Sequence, residues 1–164
     1  MIKYLGSKRR LLPVIVAGAR ALMPEGGRAR DLFSGTSRVG HALKGAGFHV
    51  TANDQMAYAA TLARCYVAAE AGRGEAPAKA LLRELATVPA APGYFTRTFC
   101  EEARFLQPKN GARVDAIRER IAALALEPAL EAIALTALME AADRVDSTTG
   151  VHMAYLKRWA ARSH

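Results

Sequence analysis

Two carboxylates and a run of small residues hold the chemistry this chain can offer. Asp31 stands at the end of a strand-like lead, Ser34-Gly35-Thr36-Ser37 follow, and a helical pattern resumes at Arg38, Val39, Ala42 and Leu43. A strand feeding a tight turn and then a helix N-terminus leaves backbone N–H groups facing anionic or polar ligand atoms. The turn is not G-x-G-x-x-G, so it carries no dinucleotide fingerprint. An acidic residue at the strand end with small residues in the turn instead suits a ligand bearing a ribose and an amino-acid tail. Asp54 closes the next predicted strand, 23 positions after Asp31, the separation that a βαβ unit requires. From there a carboxylate can accept hydrogen bonds from both ribose hydroxyls of a ligand at the first turn. It can also cap the helix that follows. No Ser/His/Asp spacing, H-E-x-x-H or P-loop lysine motif is present. Cys65 and Cys100 stand alone and read as buried small hydrophobes, giving neither a disulfide framework nor a metal site.

Read in order, the chain supplies elements to place these groups. Leu11, Leu12, Ile15, Val16, Ala19 and Leu22 predict an amphipathic helix over residues 9–23, with Pro13 tolerated near its first turn. Residues 29–33 read as strand one, 37–44 as a helix stopped by Gly45-Ala46-Gly47, and 48–52 as strand two. Ser37 is expected to N-cap the helix, with a negative φ letting the backbone approach a ligand. Helices are predicted over residues 56–71 and 78–86, separated by a break at 72–77. Residues 88–93 form an extended loop and the best internal boundary. Tyr94, Phe95, Phe99 and Phe105 then mingle with Arg97, Arg104, Lys109 and Arg113. Such a mix can stack bases and hold phosphates, but aromatics at spacings of four favour a core. Lys109-Asn110-Gly111 reads as a turn before a helix over 112–124. Glu127-Pro128 opens a helix to about residue 143, apolar on most faces and so expected at the centre. Asp143, Arg144, Asp146 and Ser147-Thr148-Thr149-Gly150 follow, as a polar loop for a cofactor or phosphate, or as a capping turn. Residues 151–160 are expected to form a last helix.

The ten residues Asp31-Leu32-Phe33-Ser34-Gly35-Thr36-Ser37-Arg38-Val39-Gly40 resemble the S-adenosylmethionine (AdoMet) turn of bacterial and phage DNA adenine-N6 methyltransferases. Lys3-Tyr4-Leu5-Gly6-Ser7-Lys8, Asn53-Asp54 and Ala141-Ala142-Asp143-Arg144-Val145, leading to Thr148-Thr149-Gly150-Val151, agree in the same order, over nearly the whole chain. The resemblance implies S-adenosyl-L-methionine as cofactor. Tyr4, Gly6, Ser7 and Lys8 would lie against its methionine end, Asp31, Phe33, Ser34, Gly35 and Thr36 would line the turn, and Asp54 would hold the ribose. It implies DNA as substrate, with Lys109, Asn110, Arg113, Arg144, Thr148 and Lys157 as candidate contacts. The family's catalytic Asp-Pro-Pro-Tyr, whose Asp and proline carbonyl accept the hydrogens of a flipped adenine's amino group, is missing, and no Pro-Pro pair occurs in these 164 residues. No catalytic residue is therefore assigned. The expected fold class is α/β, an incomplete Rossmann-like methyltransferase core of two parallel strands with a mostly helical C-terminal half. Residues 1–88 would form the AdoMet-binding portion and 89–164 the target-recognition segment. Such a chain reads as an N-terminal portion: a truncated product, an expression fragment, or half of a split enzyme.

A net charge of +8, from 23 basic and 15 acidic residues, favours a polyanionic partner. A hydrophobic share of 51% supports a globular core. Without a long apolar run or a signal-peptide pattern, the chain is expected to be soluble and cytoplasmic, with no membrane partner. Two strands leave edges that need cover, so a second chain or a homo-oligomer completing the sheet is expected as a partner. The competing reading is a non-catalytic basic DNA-binding or assembly module built on the same scaffold.

Overall fold

The computed structural model describes residues 7–70, 72, 74–150 and 154–164. They form two compact units, residues 7–70 and residues 72–164. The first is mixed α/β. A 3-10 turn, Lys8–Leu11, runs into helix α1 (Leu12–Leu22), with Pro13 in the first turn where a missing N–H costs nothing. Strand β1 (Arg28–Asp31) pairs in parallel with β2 (His49–Ala52), Arg28 opposite His49 and Asp31 opposite Ala52. Helix α2 (Arg38–Gly45) makes the crossover. Helix α3 (Ala57–Ala63) widens into a π turn, Arg64–Ala68. Leu43, Phe48, Ala59, Leu62 and Val67 are the buried hydrophobic residues here, each below 9% exposure. Gly40 is buried because a Cβ there would meet Val67 at 3.0 Å and Val50 at 3.4 Å, so the small residue sets how closely α2 lies on the sheet. The strands alternate, with Arg28, Arg30, His49 and Thr51 exposed and Ala29, Asp31, Val50 and Ala52 partly covered.

The second unit is helical. Helix α4 (Glu75–Ala86), a π segment (Thr96–Glu102), α5 (Pro108–Ala123) and α6 (Pro128–Arg144) surround a core of Leu81, Leu85, Ile121 and Ala134. Helix α6 packs against both α4 and α5, the central place its apolar faces predict. No helix among the described residues is long and apolar enough to cross a membrane.

Three local expectations are corrected. Helix α4 starts at Glu75 rather than 78, because Pro77 lies within its first turn, where proline is tolerated. Lys109-Asn110-Gly111 is not a turn but the opening of α5, started by Pro108. Gly111 is needed there because a Cβ would run into Cys100 Sγ and stand 3.1 Å from Thr96 Cα. Residues 154–160 are not helical: Tyr155 bridges back to Thr148, and the Leu156 N–H donates to Ser147 O at 3.0 Å. Residues 151–153 of that expected helix lie outside the described residues. Phe95 and Phe99 are partly buried and pack together at 4.9 Å between ring centroids, the packing role their spacing favours, whereas Tyr94 is 66% exposed.

Candidate functional site

The turn after β1 is fixed by hydrogen bonds that continue the strand pairing. Asn53 N–H donates to Asp31 O at 2.8 Å, Ser34 N–H to Asn53 O at 3.0 Å, and Asn53 Nδ2 to Leu32 O at 3.1 Å. Ser37 N–H then closes on Ser34 O at 2.7 Å. Gly35 has φ +49°, a left-handed conformation that a glycine adopts without a Cβ penalty. Its N–H donates to Asp54 Oδ2 at 2.8 Å, and Met56 N–H donates to Asp54 Oδ1 at 3.0 Å. The second-strand carboxylate is thereby tied to the first-strand turn. Those two backbone donors, Met56 foremost and then Gly35, hold Asp54 below the usual carboxylate range. Each oxygen spends one lone pair on the backbone and keeps another for a ligand hydroxyl. The local capping alternative is partly realised through Met56 N–H, although Met56 itself occupies the N-cap position of α3.

Polar atoms around this turn are left over. Asp31 Oδ2, Ser34 Oγ and Ser37 Oγ are buried with no hydrogen-bond partner among the described residues. Thr36 and Ser34 are each 7% exposed, and nothing lies within 4 Å of where a Gly35 Cβ would stand. Buried orphan acceptors and hydroxyls carry a desolvation penalty that a ligand's donors would offset. These residues fit a polar, nucleoside-bearing cofactor. Ser37 departs from expectation. It precedes α2, but with φ +57° and no side-chain capping bond. Phe33 projects to solvent at 82% exposure. Ser7 and Lys8 are exposed at the start of the 3-10 turn, which packs on α2. Tyr4 and Gly6 lie outside the described residues.

Sequence reasoning missed Lys44. At the far end of α2 its Nζ donates to Val67 O at 2.7 Å and Ala69 O at 2.5 Å, tying that end to the carbonyls of the π turn. Only the three-dimensional packing reveals it.

The candidate DNA contacts all fall in the helical unit. Lys109, Arg144 and Lys157 are exposed. Arg113 is exposed and donates through Nη2 to Ala86 O at 2.9 Å, and Asn110 Nδ2 donates to Ser163 O at 2.9 Å. Both line a cavity of about 340 Å³ whose other walls include Leu82, Leu85, Val114 and Leu138. Thr148 is 2% exposed, and its hydroxyl donates to Asp146 Oδ2 at 2.5 Å. Asp146, 1% exposed, also receives Arg162 Nε at 2.9 Å, and Arg162 Nη2 reaches Thr148 O at 3.1 Å. The Ser147–Gly150 stretch is thus a self-satisfied polar loop. Across it the Arg104 guanidinium lies over two rings, 5.3 Å from the Tyr155 centroid and 5.2 Å from that of Trp159.

Elsewhere in this unit Asp115 gathers four donors: Gly93 N–H and Thr96 N–H at 2.8 Å, Phe95 N–H at 2.9 Å and Thr96 Oγ1 at 2.6 Å. Burial alone would raise its pKa, but the bonds from Thr96, Phe95 and Gly93 outweigh it and hold the carboxyl low. Beside it the Cys100 thiol is pushed up to about 11, first by burial and then by the charges of Asp115 and Glu101.

Two adjacent parallel strands joined by a crossover helix, with Asp31 at the end of the first and Asp54 two residues past the second and bonded to the Gly35 turn, place this unit among mixed α/β proteins. The chain belongs to the D12 class N6 adenine-specific DNA methyltransferases, whose family pattern matches residues 4–164. It is 31% identical over 137 residues to the Type II methyltransferase M.NlaIII of Neisseria lactamica, covering 77% of this chain and 40% of that protein. It is 27% identical over 177 aligned residues to the modification methylase LlaI of Lactococcus lactis subsp. lactis, covering 99% of this chain and 28% of that protein. The chain therefore spans well under half the length of the curated relatives it matches. No solved structure matches it.

Proposed function

We propose that this chain forms the AdoMet-binding portion of a DNA adenine-N6 methyltransferase and that Asp-Pro-Pro-Tyr and the remaining strands are supplied from outside these 164 residues. The observation that carries the reading is the Asp54 carboxylate locked onto the Gly35 turn, beside three orphaned polar atoms. In this reading Asp54 accepts the ribose hydroxyls, the α2 N-terminus and Ser34–Ser37 face the polar atoms of the cofactor, and Asp31 meets its amino-acid end. Tyr4, Gly6, Ser7, Lys8, Phe33 and Thr36 complete the surround. When bound, AdoMet supplies an electrophilic methyl group on sulfonium. The protein's own contribution would be alignment for in-line attack, since the adenine amino group needs positioning more than acid–base help. The helical unit would contact DNA phosphates through Lys109, Arg113, Arg144 and Lys157, with Asn110 beside them. Thr148, expected as a contact, is instead buried with its hydroxyl on Asp146 and would only hold the loop. The sheet would be Rossmann-like once completed by a further segment or chain, and the net charge of +8 supports a polyanionic substrate.

Calorimetric titration with S-adenosylhomocysteine, the product form, tests the turn without requiring catalysis. Micromolar binding that is lost in both Asp31→Ala and Asp54→Ala is expected. A folded chain that takes up no S-adenosylhomocysteine would overturn the cofactor assignment.

A further inference from the structure

We infer that Arg104 is a phosphodiester receptor, held ready by stacking on Tyr155 and Trp159, and that it anchors the DNA backbone against the loop carrying Lys157 and Arg158. The inference rests on the DNA-methyltransferase reading and deepens it by singling out one arginine of the aromatic–basic mix and giving it a contact. Three observations converge. The guanidinium carbon lies over two rings, 5.3 Å and 5.2 Å from their centroids, a contact that uses none of its N–H donors. Among the described residues those donors have no carboxylate or carbonyl partner, although Glu101 and Glu102 are near in sequence. The residue is exposed, and its backbone is left-handed, with φ +54°. That conformation is costly for a residue with a Cβ and persists where surrounding structure imposes it.

Stacking suits the task. Cation–π contact fixes the plane of an arginine without consuming its donors, and a fixed fork matches two phosphate oxygens at once. The loop below is rigid for its own reasons: Asp146 pairs with Arg162, the Ala160 N–H donates to Ser147 Oγ at 2.9 Å, and Gln107 Nε2 reaches Ser163 Oγ at 3.3 Å. Lys157 and Arg158 are exposed in the sequence between the two stacking rings, which adds positive charge to the same loop. A guanine edge would also accept a guanidinium fork, and it is the outcome that the test must separate from a phosphate.

Trp159 is the single tryptophan, so its emission reports this contact directly. Unrelated duplexes are titrated into the full chain across a salt series, reading Trp159 fluorescence and a labelled-DNA anisotropy signal together. Arg104→Gln is expected to weaken every duplex by roughly tenfold, the loss of one charge-assisted bond, and to lower the log–log salt slope by about one. Arg104→Lys, which keeps the charge but not the plane, is expected to retain the slope and lose only a few-fold in affinity; it also decides the matter if the Gln variant does not fold. An unchanged slope with unchanged affinity in Arg104→Gln overturns the inference while leaving the function standing. A loss confined to one sequence would make Arg104 a base reader and also overturns it. A wild-type chain that binds no duplex at any salt removes both this inference and the DNA half of the proposed function.

Discussion

Ser37 offers the sharpest test of the turn. Its φ of +57° places a residue with a Cβ in the left-handed region, a strain of roughly 1–2 kcal/mol. Its fully buried Oγ has no partner among the described residues, and an unsatisfied buried hydroxyl costs about 1–3 kcal/mol. Ser37→Gly removes both penalties and loses about 0.5–1 kcal/mol to the greater freedom of glycine when unfolded. The net expectation is a stabilisation of about 1–4 kcal/mol. For a chain of this size that raises the thermal midpoint by about 2–4 °C per kcal/mol. Ser37→Ala separates the two penalties, because it discards the hydroxyl and keeps the backbone strain; it is expected to gain less than glycine. Because Oγ would face the ligand in the proposed site, Ser37→Gly is also expected to weaken S-adenosylhomocysteine by roughly two- to tenfold, the worth of one hydrogen bond. Thermal unfolding and calorimetry on the parent and the two variants measure all three effects. A glycine variant less stable than the parent would refute the strain argument, and an alanine variant gaining as much as glycine would show that the backbone contributes nothing.

Gly111→Ala is expected to destabilise the helical unit by about 1–3 kcal/mol through overpacking against Cys100 and Thr96, read from urea denaturation; a neutral outcome would mean that α5 and the π segment slide apart freely. Asp115→Asn should be less stable than the parent at neutral pH. Because the native carboxyl is held low, its contribution is complete above the ordinary carboxylate range and is lost as pH falls through the depressed native value. The gap between the two proteins should therefore close on acidification, and a gap that widens in acid would contradict the sign. Cys100, 2% exposed with its thiol pushed up to about 11, should resist iodoacetamide at neutral pH in the native chain and react in urea; rapid native labelling of Cys100 by peptide mapping would contradict its burial.

Much of the geometry of the candidate site is written locally, which is why it could be read. Asp31, the small residues after it, the glycine stop at residues 45–47 and Asp54 are all within one βαβ unit, where spacing fixes geometry. The sign of φ at Ser37 was illegible because serine has no local preference strong enough to announce a left-handed conformation. The helical unit was harder. Pro108 opens α5 where Asn-Gly suggests a turn, since Gly111 is small for the sake of Cys100 rather than for a bend. Residues 154–160 carry helix-forming side chains, but the half-buried Asp146–Arg162 pair and the Arg104 stack override that propensity with contacts 16 and more positions apart. Asp115 shows no motif at all. Its four donors come from residues 93–96, some twenty positions earlier, and no pattern in the chain marks the pairing.

The parallel pairing of Arg28 with His49 and Asp31 with Ala52 also bears on the order in which the protein acquires its shape. Only about twenty residues separate paired positions, so closing that loop costs little chain entropy. The strands, the crossover helix and the Gly35–Asp54 bond all lie within residues 28–54. During synthesis this stretch leaves the ribosome before α5 or α6 has been made, and domains tend to fold as they emerge. The turn can thus be complete while the rest of the chain is still being translated, which makes nascent chains halted just before α5 a natural material for watching it form.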